Sequence, residues 1–173
     1  MALRGTISTM LTVEQPADGV LLSGESPSMS GMTSLHNSVR ANVSPSANPP
    51  LNPLLWDDDV AADAQLWADN CRFVHGGRPN EGQNIYAAGG FVPTPSDVVN
   101  NWASEVSFYN YNTNTCASGQ QCGHYTQIVW SSTTKLGCGM THCMSNSPGS
   151  KGDWYFVVCN YKPPGNYVGK KPY

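Results

Sequence analysis

Six cysteines, all between Cys71 and Cys159 and none in a C-x-x-C pair, limit this chain more than any other feature. Structural zinc clips and redox dithiols use close pairs, so an even number without one reads as three disulfides. Disulfides persist in oxidising compartments, and the expectation is therefore a secreted, extracellular protein. Met1 to Val13 has a single arginine and no sustained apolar stretch, unlike a signal peptide, so the chain is read as beginning after a removed leader.

At 173 residues there is room for one ordinary domain. Charged residues make up 12%, and 17 Gly with 13 Pro mark a turn-rich chain with few long helices. A net charge of −3 supplies no electrostatic footprint for nucleic acid or an anionic membrane. The apolar runs, such as Val20 to Leu22 and Phe156 to Cys159, are far too short for an integral membrane span. A monomer is expected. Every aromatic residue lies from Trp56 onward, so residues 1–28 are read as a loosely ordered extension and 29–173 as the folded domain.

Met32, Leu35 and Val39 fall on one helical face between Ser30 and Asn42, and the Ser-Pro-Asn stretch from Ser44 to Pro53 ends that helix. A second helix begins at Trp56-Asp57-Asp58-Asp59, where acidic side chains suit the positive end of the helix dipole, with Val60, Ala64, Trp67 and Cys71 inward. A third begins at Thr94-Pro95-Ser96-Asp97, an N-cap followed by proline at the first helical position. Its inner face is Val99, Trp102 and Val106, with Glu105 on the same side. Trp154 to Tyr161 is a continuous apolar run, the pattern of a strand covered on both faces, and Leu136 to Cys143 is its antiparallel neighbour. Helices first and strands later give an α+β domain.

No G-x-S-x-G, H-E-x-x-H or phosphate-cradling glycine loop is present. The distinctive strings are His36-Asn37-Ser38-Val39-Arg40, Gly82-Gln83-Asn84-Ile85-Tyr86, Trp102-Ala103-Ser104-Glu105, Gly123-His124-Tyr125-Thr126-Gln127-Ile128-Val129-Trp130, and Cys159-Asn160-Tyr161-Lys162-Pro163-Pro164-Gly165-Asn166-Tyr167. In this order, from about Met29 to Tyr173, they resemble the CAP superfamily of cysteine-rich secretory proteins, antigen 5 and plant pathogenesis-related class 1 proteins. The cysteine spacing is most similar to the plant branch. The resemblance implies a three-layer α-β-α sandwich around a central antiparallel sheet. It also implies disulfides Cys71–Cys138, Cys116–Cys122 and Cys143–Cys159. Cys116 and Cys122 flank a short loop, and Cys143 and Cys159 lie on the two strands paired above.

The resemblance further implies a cleft in which two histidines can hold a divalent metal between two glutamates. Matched residue by residue, these are His75, Glu105 and His124, while the remaining glutamate position is Gln83. A carboxylate orients a ligating imidazole or activates a bound water, so Gln83 removes charge and a base. No cofactor is required on this reading. Weak binding of zinc or another divalent ion by His75 and His124 is expected, tighter if a carboxylate is restored at 83. His36, four residues before Arg40, is read as a packing and hydrogen-bond element, His142 as a surface residue, and Trp67, Trp102, Trp130 and Trp154 as core. Asn42-Val43-Ser44 is a glycosylation sequon.

Three functions compete. One is a non-catalytic defence or host-pathogen module binding a sterol or fatty acid, with Phe108, Tyr109 and Tyr111 opening the lipid loop that the resemblance implies; Asn112 to Gln121 adds no aromatic to it. Another is a weak metal-dependent hydrolase using His75, His124 and Glu105. The third, implied by the resemblance to the plant branch, is a precursor whose segment Pro163 to Tyr173, matching the form P-x-G-N-x-x-x-x-x-P-Y that the resemblance brings, is released as a signalling peptide toward a protein receptor. The same segment also reads as a proline-stiffened tail that covers a sheet edge.

Overall fold

Two opposed apolar faces on one strand organise the domain. The computed structural model describes residues 24–149 and 152–173. Strand β6 (Trp154–Lys162) sends Val157, Cys159 and Tyr161 into one buried cluster and Trp154, Phe156 and Val158 into another, as the alternation of a strand requires. Helix α2 (Asp58–Ala68) covers the second cluster with Ala64 and Ala68. Helices α1 (Met32–Ala41), α3 (Pro95–Ser104) and α4 (Gly123–Ile128) supply Met32, Val98, Val99, Trp102 and Ile128 to the first. The result is the expected α+β sandwich of helices on both faces of a sheet.

The sheet order is β1-β5-β6-β2, with β1 (Leu55–Trp56), β2 (Gly82–Gly89) and β5 (Lys135–Cys143). The pairs β5·β6 and β2·β6 are antiparallel, whereas β1 runs parallel to β5, so the sheet is mixed rather than wholly antiparallel. A small hairpin, β3 (Tyr109–Asn110) with β4 (Thr115–Cys116), follows α3 through a 3₁₀ turn at Glu105–Phe108.

Local chemistry sets the helix starts. Asp57 accepts the Val60 N–H to cap α2, and Thr94 with Asp97 forms a reciprocal capping box at α3. At α1, Glu25 accepts the N–H groups of Gly31 and Thr33, both at 2.6 Å. The part of the expected extension up to residue 23 lies outside the described residues. Val106 departs from the expected inner face: α3 stops at Ser104, the 3₁₀ turn rotates the chain, and Val106 is 44% exposed.

Two of the three disulfides differ from the expected pairing. The bonds are Cys71–Cys143, Cys116–Cys122 and Cys138–Cys159, and no cysteine is free. The ladder places Cys138 directly opposite Cys159 and Cys143 opposite Trp154. Cys143 is an odd number of residues from Cys138, so it projects from the other face of the sheet and lies about 17 Å along the strand, beyond disulfide reach. On that other face, the turn after α2 presents Cys71 with its Cα 5.6 Å from that of Cys143.

His36 and Arg40 are buried elements of this framework. His36 Nδ1 donates to the Met32 carbonyl and its Nε2 accepts from the Tyr161 hydroxyl, both at 2.8 Å. Arg40 donates to the carbonyls of Asn52, Ile128 and Trp130. Trp102, Trp130 and Trp154 are core, and Trp67 is half-buried.

Candidate functional site: a two-histidine cleft at the edge of the sheet

Glu105 ends α3 and meets the start of α4, whose first N–H groups have no partner within their own helix. Its carboxylate accepts the main-chain N–H of His124 at 2.9 Å and of Tyr125 at 3.1 Å, and His124 Nδ1 donates to it at 2.6 Å. The His124 ring also stacks on Trp102, with centroids 5.9 Å apart and planes at 15°. The Glu105 and His124 side chains are only 12% and 19% exposed, so the His124 ring is held on one face by an indole and at Nδ1 by a carboxylate. Asn84 adds a hydrogen bond to the His124 carbonyl at 3.0 Å and another to the Tyr161 hydroxyl at 3.1 Å.

His75 arrives on a loop pinned from both sides. Trp67 Nε1 donates to the Val74 carbonyl at 2.9 Å, and the backbone of Gly76 lies flat on the Trp67 ring, where a Cβ would fall 2.2 Å from ring carbons. From the sheet, Gln83 Oε1 accepts the Gly76 N–H at 3.1 Å and the His75 Nδ1–H at 3.3 Å, while its Nε2 donates to the Gly76 carbonyl at 2.6 Å and to Asn160 Oδ1 at 3.1 Å. Asn160 Nδ2 in turn donates to Glu81 at 2.8 Å. Burial raises the Glu81 carboxyl above its ordinary range, with the Asn160 bond opposing the shift.

His75, Gln83, Asn84, Gln121, His124 and Asn166 line one open cavity of about 290 Å³. His75, Gln83 and His124 are thus brought together, and Glu105 stands behind His124 rather than in the opening. Each imidazole is held at Nδ1. Among the described residues neither Nε2 has a hydrogen-bond partner, and no three His, Cys, Asp or Glu side chains gather to hold a metal ion. Two imidazoles supply only half of the donors of a closed zinc site. The roles of Glu81, Asn160, Trp67 and Asn166 were not read from sequence. Glu81 stands two residues before Gln83, a same-face spacing along an extended chain that could have revealed it.

The expected lipid loop is a second, wider opening of about 500 Å³ whose lining includes Ser44, Phe108, Tyr109, Asn110 and Tyr111. Phe108 is 40% exposed. Tyr109 is half-buried and donates to Asn114 at 2.7 Å. Tyr111 stacks on Tyr173, centroids 4.6 Å apart, and Lys171 Nζ lies 4.5 Å from the same ring centroid. His142 stacks on Tyr155 and contacts Asp153 at the surface, away from the cleft.

Residues 33–161 match the cysteine-rich secretory protein family, CAP. The chain belongs to this family. It is 42% identical over 142 residues to a PR-1 type pathogenesis-related protein of Sambucus nigra, covering 80% of this chain and 77% of that one. It is 44% identical over 127 residues to pathogenesis-related protein PR-1 of Medicago truncatula, covering 71% and 69%. Among solved structures, venom allergen-like protein 4 of Schistosoma mansoni superposes with a TM-score of 0.67 at 26% identity, over 86% of this chain and 95% of the other. No helix among the described residues of this CAP chain is long and apolar enough to cross a membrane.

Proposed function

We propose that this CAP chain is a secreted, non-catalytic binding module of the pathogenesis-related class 1 type, acting in defence or host-pathogen contact. The observation that carries the reading is the commitment of Glu105. It accepts three N–H bonds, two from His124 and one from Tyr125, and the other cleft side chains named above are amides and imidazoles. A hydrolase needs a base within reach of a reacting water, and a carboxylate occupied by three N–H groups serves instead to orient His124. The three disulfides and the plant PR-1 relatives support an extracellular setting.

Within this reading His75 and His124 present their Nε2 atoms to a ligand, and a divalent ion held there would be bound weakly and exchanged readily. The candidate apolar ligand is a sterol or fatty acid at the Phe108 opening. With Tyr111 covered by Tyr173 and Lys171, Phe108 is the main apolar surface left, and burial of one ring contributes about 2 kcal/mol. Binding should accordingly be shallow. The test pairs two assays on the full chain. Saturable but weak uptake of ergosterol or palmitate, lost in Phe108→Asp, together with no hydrolysis of model peptides or esters with added zinc, supports the reading. Zinc-dependent turnover abolished by His124→Ala overturns it.

The exposure of Lys162 and Pro163 favours a second reading, release of residues 163–173 as a signalling peptide to a receptor. Opposing it, Ser131 donates to the Pro172 carbonyl at 2.7 Å, the Tyr111 hydroxyl donates to the main-chain oxygen of Tyr173, and Pro172 is buried.

A further inference from the structure

The two most distinctive strings of the sequence meet face to face. Gln127, in the Gly123 to Trp130 string, is 1% exposed, and its Oε1 accepts the Gly165 N–H at 3.0 Å. Its Nε2 donates to the hydroxyl of Thr133, itself fully buried, which donates onward to the Pro163 carbonyl at 2.9 Å. Thr126 donates to Asn166 Oδ1 at 2.7 Å, and Asn166 Nδ2 donates to the Gly123 carbonyl at 2.8 Å. Gly165 lies against Trp130, where a Cβ would stand 2.7 Å from the indole Cγ and 2.8 Å from Gln127 Nε2. Asn166 sits at φ 58°, the left-handed region that asparagine tolerates.

We propose that Thr126, Gln127, Trp130 and Thr133 form a peptide-recognition socket selective for a Gly-Asn pair and the main chain before it, which the chain's own residues 163–166 fill. The main-chain carbonyl of Pro163 meets Thr133, the glycine is required by the Trp130 face, its N–H meets Gln127, and the asparagine side chain is read at both ends by Thr126 and Gly123. Buried polar side chains are costly when unpartnered, so the socket holds its occupant against water. The same segment bridges two regions, since Asn166 lines the histidine cleft and Tyr173 covers Tyr111. A cut after Lys162 therefore leaves the peptide docked. This inference rests on the socket's geometry, is independent of the lipid and metal readings, and stands against free release of residues 163–173.

The experiment inserts a protease recognition sequence between Lys162 and Pro163 of the full chain and cleaves it under native conditions. The expected result is that the C-terminal peptide co-elutes with the body after dilution. It is displaced by excess synthetic Pro-Pro-Gly-Asn-Tyr-Val-Gly-Lys-Lys-Pro-Tyr, and at least ~10-fold less well by the same peptide carrying Gly165→Ala. Loss of the peptide on dilution, or equal displacement by the two peptides, overturns the proposal. A second measurement needs no cut. In the intact chain Gly165→Ala should speed amide hydrogen exchange across residues 165–173 while β6 stays protected, and unchanged exchange in that segment would also overturn it.

Discussion

Gln83 pairs with both main-chain groups of Gly76, accepting its N–H through Oε1 and donating to its carbonyl through Nε2. A carboxamide can do both at neutral pH, and an ionised carboxylate cannot. A carboxylate at this position would face the Gly76 carbonyl and Asn160 Oδ1 with no proton to offer. This pairing sets a stability cost against the expected gain in metal binding from a carboxylate at position 83. Gln83→Glu should cost about 2 kcal/mol at neutral pH and loosen the His75 loop, with part of the loss recovered in acid as the new carboxyl protonates. Thermal unfolding and zinc calorimetry on both proteins check this. Tighter zinc binding at undiminished stability would show that the amide's donor function at Gly76 is dispensable.

Removing each disulfide should destabilise the chain in the order of the loops closed. Cys71–Cys143 spans 72 residues, Cys138–Cys159 spans 21 and Cys116–Cys122 spans 6. Loop-closure entropy gives about 4, about 3 and about 2 kcal/mol for paired alanine substitutions. Peptide mapping without reduction should recover Cys71 joined to Cys143; a fragment joining Cys71 to Cys138 would contradict the ladder register.

What was legible in the sequence was what periodicity and caps encode. The faces of α1 and α2, the Thr94 start of α3 and the doubly buried β6 all follow from local pattern. The disulfide partners of Cys143 and Cys159 were not, because the outcome turns on strand register, and one residue of slip moves a side chain to the opposite face. The site divides the same way. Gln83, Glu105 and His124 lie in the strings that carry the family resemblance, and His75 was named through that resemblance alone. The spacing of Glu81 from Gln83 hints at a shared face, but its partner Asn160 is 79 residues away, and the Gly76 pairing and the Trp67 support depend on how the His75 loop folds back, which no periodicity encodes.

His36 should make stability fall in mild acid. Burial, with a smaller contribution from Arg40, lowers its pKa from 6.5 to about 4, against the opposing Met32 hydrogen bond and Glu25. Between those values the unfolded chain takes up a proton that the folded chain refuses, so stability declines as pH drops from about 6.5 to about 4. The full shift corresponds to about 3 kcal/mol. Urea titrations at pH 7 and pH 4.5 should show a larger loss for the parent chain than for His36→Gln, which lacks the titrating ring. Parallel losses would assign the acid sensitivity to other groups.

Arg40 is buried with carbonyl partners rather than a carboxylate, and burial lowers its pKa to about 10. Its guanidinium reaches the Asn52 carbonyl with Nε and Nη2 while Nη1 reaches those of Ile128 and Trp130, tying α1 to the loop before β1 and to the end of α4. A planar fork serves these directions at once, whereas a lysine ammonium is a single point on a flexible stem. Arg40→Lys should therefore leave at least one of these carbonyls without its donor and cost about 3 kcal/mol, close to the loss in Arg40→Met. Equilibrium unfolding of both variants at neutral pH provides the measurement. If lysine restores most of the parent stability, the buried charge rather than the fork geometry is what these carbonyls require.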